Sequence, residues 1–186
     1  FGQLDGLVNN AAIISRGRMT ATTKDDFDRI MAVNLRAPFL LTQAGWASLE
    51  ASSGAVVNIG SINAYGGEAN IFSYSVSKGG LMTMSKHLAE IGAPLGIRVT
   101  HLNLGWVLTD REYRDKISDG LPENWPETLS ANDIPSGAMT RPEDVASVVA
   151  FWLSDEARPF AGTVMELEQY PFLGRNPTKE GDHHSR

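Results

Sequence analysis

The sequence predicts an α/β protein built on a doubly wound parallel sheet. Three observations carry this expectation. Short apolar runs recur at residues 4–8, 54–61, 97–105 and 162–169. Stretches with apolar residues at helical spacing separate them. Strands that alternate with amphipathic helices pair in parallel, with helices packed on the sheet faces. Right-handed crossovers then place those helices on both faces.

Each element has its own signal. "LDGLV" (4–8) is a buried-strand run that ends in the tight loop "NNAA". The segment 22–50 opens on Thr and Asp capping signals, and Phe27, Ile30, Met31, Asn34 and Leu35 follow at helical spacing. Pro38 kinks or divides that helix, because proline removes a backbone donor. "GAVVNIGS" (54–61) is a second strand after a Ser-Ser-Gly turn. Residues 74–96 read as a long helix ended by Gly92, Pro94 and Gly96. "IRVTHLNLG" (97–105) is the third strand, and residues 106–138 are a polar, Pro- and Gly-containing stretch long enough to be a lid. Residues 140–157 form a helix with Pro142 in its first turn, and 162–169 the fourth strand. The last residues, 174–186, have no apolar face and read as a disordered tail.

Composition excludes several function classes. The 186 residues carry a net charge of −6, with 42% hydrophobic and 20% charged residues. These values fit one globular domain. No Lys/Arg cluster supplies the basic face that nucleic acid requires. No apolar run reaches the ~20 residues that span a bilayer. There is no cysteine, so disulfides and thiolate chemistry are absent. That fits a reducing compartment, and with it a cytoplasmic location.

In such sheets ligands bind beyond the carboxyl ends of the strands. This draws attention to Asn9–Ala12, Ser61 and Gly105–Thr109. It also draws attention to "YSVSK" (74–78), which places Tyr74 and Lys78 on one helix face. A cation within about 4–6 Å favours phenolate, so Lys78 could lower the Tyr74 pKa. Ser61, thirteen residues upstream, could hydrogen-bond the oxygen that receives the tyrosine proton. Taken alone, Tyr-x-x-x-Lys is a common chance pattern and reads as an exposed helix pair. Thr109 reads equally as a helix cap, Asn34 as an ordinary buried amide, and Trp106 and Trp125 as packing residues. His87 and His101 have no second ligand nearby in sequence and read as structural.

Several motifs together resemble the short-chain dehydrogenase/reductase family, over residues 1–165. "LVNNAA" (7–12) resembles the family's Asn-Asn-Ala-Gly turn, "VNLRAPF" (33–39) its asparagine helix, and "VVNIGSINA" (56–64) its serine strand. "YSVSKGGL" (74–81) resembles its Tyr-x-x-x-Lys helix, and "IRVTHLNLGWVLT" (97–109) the strand that leads to its Pro-Gly turn. The resemblance implies a Rossmann-like sheet and an NAD- or NADP-dependent oxidoreductase that interconverts a small-molecule carbonyl and a secondary alcohol. It implies Tyr74 as acid/base and Lys78 as ribose ligand and pKa tuner. Ser61 would position the substrate oxygen, and Asn34 would hold a water that relays protons from Lys78. Asn9, Ala11, Gly105, Val107 and Thr109, with Tyr74 and Lys78, would hold the nicotinamide half of the cofactor. Ser61, Asn63 and Trp106 would meet substrate, with Tyr113 and Trp125 as further candidates for the lid pocket. No metal is implied. A homodimer or homotetramer is, through the helices that carry Asn34 and Tyr74.

The sequence departs from the family at Ala12, where the turn usually has Gly, and in three further places. No Gly-x-x-x-Gly-x-Gly turn precedes "VNNAA", Leu104 replaces the proline of the Pro-Gly turn, and the last strand lacks an Asp-Gly-Gly ending. With Phe1 in first position, the expectation is a catalytic portion, residues 1–173, of a longer single-domain fold. The competing readings are a non-catalytic remnant that serves as a packing or dimerisation module, and an epimerase or dehydratase acting on a nucleotide sugar.

Overall fold

The computed structural model describes residues 2–169; the tail expected at 174–186 lies outside the described residues. Four parallel strands form one sheet in the order β1 (Gly6–Asn9), β2 (Ala55–Ser61), β3 (Arg98–Leu104), β4 (Val164–Leu167). Each predicted strand is present, trimmed by one or two residues at one end or both, and β1 runs one residue further than expected, to Asn9. Its register aligns Asn9 with Asn58, and Asn58 with His101.

Between β1 and β2 the chain runs through α1 (Lys24–Met31), a π turn (Ala32–Arg36) and α2 (Ala37–Ser52). Thr23 caps α1 by accepting the Asp26 N–H. Pro38 explains the π turn. It has no N–H for the Asn34 carbonyl four residues back, so the helix widens by one residue and resumes. The dividing effect expected of Pro38 therefore takes the form of a bulge.

Helix α3 (Phe72–Gly92) links β2 to β3 and buries a stripe of small and polar residues: Ser73, Ser77, Lys78, Leu81, Ser85, Ala89 and Gly92. Small side chains let its axis approach the sheet closely. A 3₁₀ turn and Gly96, at φ 76°, then end it. After β3 come α4 (Asp110–Ser118), a 3₁₀ turn (Trp125–Thr128) and α5 (Pro142–Leu153). Helix α4 lies inside the stretch expected to be a loop.

The two faces of the sheet differ. On one, Val56 and Val99 pack against Leu49 of α2 and Ala89 of α3. On the other, Val57, Ile59 and Leu102 pack against Trp152 of α5. The sheet is doubly wound, as expected. Its strands nevertheless follow one another in a single direction while α5 lies opposite α2 and α3. The β3–α5–β4 crossover therefore has the opposite hand from the two before it, and the three cannot all obey the right-handed rule.

Candidate active site

Ser61 is the last residue of β2, and its side chain is buried at the strand's carboxyl end. Tyr74 and Lys78 lie one turn apart on α3. The two elements match in pitch. Two strand residues advance about 6.6 Å, and four helix residues about 6 Å. Tyr74 thus comes close enough to Ser61 for its hydroxyl to act on the phenol, while Lys78 Nζ donates to the carbonyl of Ile59, two residues earlier, at 2.6 Å. The same nitrogen lies 5.7 Å from the centre of the Tyr74 ring. The Ser61 hydroxyl also accepts the Asn63 N–H at 3.2 Å, which fixes the turn that leaves the strand.

Burial dominates the electrostatics. It raises the Tyr74 pKa above the usual phenol value, and the bond from Ser61 only partly opposes this. It lowers the Lys78 pKa to about 8. The expectation that Lys78 draws the Tyr74 pKa down therefore does not describe this geometry, in which the ammonium faces the Ile59 carbonyl. At neutral pH the phenol is protonated and Lys78 is still mostly a cation.

The other candidate residues divide into two groups. Asn34, fully buried in the π turn, accepts the Ile13 N–H and donates to the Ile13 carbonyl, both at 2.9 Å. It also donates to Ser77 Oγ at 3.1 Å. Its amide staples the loop after β1 to α3 and so spends both of its N–H donors within the protein. Asn9, buried at the end of β1, donates to Asn58 Oδ1 at 2.7 Å and to Thr42 Oγ1 at 3.2 Å, and its own Oδ1 has no partner. Ala11 is exposed in the loop beyond it.

Gly105 and Val107 follow β3. Gly105 N–H donates to the Leu167 carbonyl at 2.9 Å, and Val107 bridges to Thr140. Thr109 caps α4 by accepting the Glu112 N–H at 3.0 Å. Trp106 is committed elsewhere: its N–H donates to Glu112 at 2.8 Å and its ring stacks on Trp125 at 5.5 Å. Trp125 is fully buried and stacks on Tyr113 as well. It is the core of residues 106–139 rather than a pocket wall.

Lys78 gives one of its donors to Ile59 and sits beside a phenol at the mouth of the sheet. That donor set fits a ligand rich in hydroxyl groups, as the ribose of a nicotinamide cofactor is.

One group of residues escaped the sequence reading. Asn58, His101 and Asn103 form a buried polar row beneath α3. The signal was present as polar letters in "RVTHLNL" and "VVNIGS", strands that should be continuously apolar.

Comparison with known proteins places this geometry in context. A family model described as enoyl-(acyl carrier protein) reductase matches residues 1–168. An acetoacetyl-CoA reductase from Shinella zoogloeoides is 32% identical over 93% of the chain and 70% of its own length. A 3-oxoacyl-[acyl-carrier-protein] reductase from Thermotoga maritima is 31% identical over 90% of the chain and 66% of its own. Among solved structures, one from Agrobacterium tumefaciens with bound NADP is provisionally assigned as a 2-deoxy-D-gluconate 3-dehydrogenase. It superposes with a TM-score of 0.76 at 31% identity, over 89% of this chain and 66% of that one. The chain spans about two thirds of the length of each relative.

Proposed function

Because the chain belongs to the short-chain dehydrogenase/reductase family, we propose that its protein interconverts a small carbonyl compound and its secondary alcohol, with NAD or NADP as cofactor. The observation that carries this reading is the Ser61–Tyr74–Lys78 cluster at the carboxyl end of β2. When bound, the nicotinamide would exchange a hydride with the carbonyl carbon. The chain's own residues have three tasks. Ser61 holds the substrate oxygen beside the phenol through its hydroxyl. Tyr74, a phenol that is protonated at neutral pH and whose proton burial holds more tightly still, donates it to that oxygen as negative charge develops. Lys78 supplies positive charge and N–H donors for a ribose, and its pKa of about 8 suits a group that hands a proton on. Asn9, Ala11, Gly105, Val107 and Thr109 surround the nicotinamide half in this reading. The Asn34 backbone carbonyl, which has no N–H four residues on because position 38 is proline, is the group available to hold a relaying water in this reading.

The test is Tyr74→Phe in the protein as its gene encodes it. With acetoacetyl-CoA as probe, NADPH and NADH oxidation should fall by at least ~10³-fold, in line with the loss of a general acid. Binding of the reduced cofactor, followed by fluorescence, should change less than about twofold. Retained turnover would remove Tyr74 from the mechanism. Wild-type protein that binds neither cofactor would instead favour a non-catalytic module.

We also read the protein as a homo-oligomer. A groove between α1–α2 and α3 is lined by Met31, Leu35, Phe39, Met84 and His87, and Phe39, Leu40 and Leu41 are exposed beside it. A second copy presenting the same helices is the occupant that suits this face.

A further inference from the structure

The polar row under α3 has a direction that can be deduced bond by bond. The Ser61 backbone N–H can only donate, and it lies 3.0 Å from Asn103 Oδ1. That fixes the Asn103 amide with its oxygen toward Ser61 and its nitrogen toward Met82 Sδ, at 3.6 Å. His101 Nε2 lies 2.9 Å from the same oxygen. Facing an acceptor, it must carry a proton. In a neutral ring Nδ1 is then the acceptor, so Ser85 turns its single hydroxyl proton toward it, 2.9 Å away, in competition with the Leu81 carbonyl at 2.7 Å. Ser85 in turn receives the Asn58 N–H at 2.9 Å, and Asn58 Oδ1 receives the Asn9 N–H at 2.7 Å. Donors therefore point one way from Asn9 through Asn58 and Ser85 to His101 and Asn103. On Asn103 Oδ1 the chain meets the Ser61 amide coming from the other side.

The ring is neutral for a reason visible in its surroundings. His101 is fully buried, and burial lowers its pKa to about 4. Repulsion from Lys78 and Lys86 adds to this, while the Asn103 bond and Glu166 act against it. Space has also been cleared for the ring. A Cβ on Gly60 would lie 2.0 Å from His101 Nε2 and 2.4 Å from Asn103 Oδ1. Gly60 precedes Ser61, so the imidazole and the Asn103 amide occupy the side-chain volume of the residue next to the candidate catalytic serine.

We propose that His101, as the neutral Nε2–H tautomer, is a positioning residue that locks the Asn103 amide and through it the backbone of Ser61. Its service to catalysis rests on the function proposed above, but its effect on Ser61 does not. Without the His101 donor, Asn103 loses the bond that opposes rotation of its amide, and the Ser61 N–H loses a fixed acceptor. The end of β2 then loosens where the Tyr74 partner must be held.

The experiment uses the full-length protein and three readouts. Long-range ¹H–¹⁵N spectra of the imidazole at pH 7 should show His101 protonated at Nε2 alone. A Nδ1–H or doubly protonated ring overturns the proposal. Amide hydrogen exchange at Ser61 should quicken at least tenfold in His101→Leu and return to within about threefold of wild type in His101→Gln, whose amide can both donate and accept. Val56 and Val99 serve as reference amides, since general loosening would speed them equally. Equal acceleration at all three, or none at Ser61 in a folded variant, defeats the positioning role. Should His101→Leu not fold, Gly60→Ala decides. It should be strongly destabilising in the wild type and substantially better tolerated once both groups its Cβ would meet, His101 Nε2 at 2.0 Å and Asn103 Oδ1 at 2.4 Å, are removed in His101→Ala/Asn103→Ala. Tolerance in both backgrounds is the contrary result. With acetoacetyl-CoA as probe, His101→Leu should lower kcat about tenfold and leave cofactor KM nearly unchanged. A wild-type protein inert toward the probe would count against the proposed reaction, while the spectra and exchange would still decide the role of His101.

Discussion

Lys78 is 2% exposed, and burial lowers its pKa to about 8 from the 10.5 of a lysine in water. Between those values the unfolded chain binds the proton that the folded chain has released, so stability rises with pH across this window. Below about pH 8 the cost of burying the ammonium is present in full, on the order of 3 kcal/mol. Urea unfolding from pH 7 to 10.5 should therefore show a rising contribution that is absent in Lys78→Met. Parallel pH profiles for the two proteins would mean that Lys78 is not desolvated as described. That Tyr74, Lys78 and Ser61 belong together was legible only through the family resemblance, since the four-residue helix spacing by itself reads equally as an exposed pair. The direction of the lysine was not. Residue spacing puts an ammonium near a phenol, but the competing acceptor, the Ile59 carbonyl, is a backbone atom that no side-chain pattern announces.

At the scale of elements, the π turn and the loop after β1 stand or fall together. Asn34 satisfies both backbone groups of Ile13, so Asn34→Ala should cost about 1–3 kcal/mol in urea unfolding, the range for stranded polar groups. It should also quicken exchange at the Ile13 amide. Unchanged protection at Ile13 would show that the staple is idle. All four strands could be read from their apolar runs, and α3 from its terminating glycines. Helix α4 could not, although Thr109 and Glu112 have the spacing of a helix start. The flanking Gly and Pro residues and the charged letters of "DREYRDKIS" hid it. What holds residues 106–139 together is the Trp106–Trp125–Tyr113 stack, a contact across nineteen residues that local periodicity cannot reveal.

Across the whole molecule, parallel pairing and two covered faces followed from the alternation of strands and helices. The hand of the last crossover did not, because the apolar stripe of α5 suits either face and only the packing of Trp152 against Val57, Ile59 and Leu102 decides between them. Among the described residues no helix is long and apolar enough to cross a membrane. The groove beside α3 gives a test of assembly. Phe39→Glu should move the protein toward monomer in sedimentation equilibrium, with near-ultraviolet circular dichroism unchanged. An undiminished oligomer would place the interface elsewhere.

The clearance at Gly60 also has a history written into it. A side chain at position 60 and an imidazole at position 101 compete for one volume, so the imidazole could be acquired only where position 60 was already glycine. Among relatives the two positions should drift as a linked pair. Lineages with histidine at 101 would be held to glycine at 60, and a side chain at 60 would appear only where the residues at both 101 and 103 have become small.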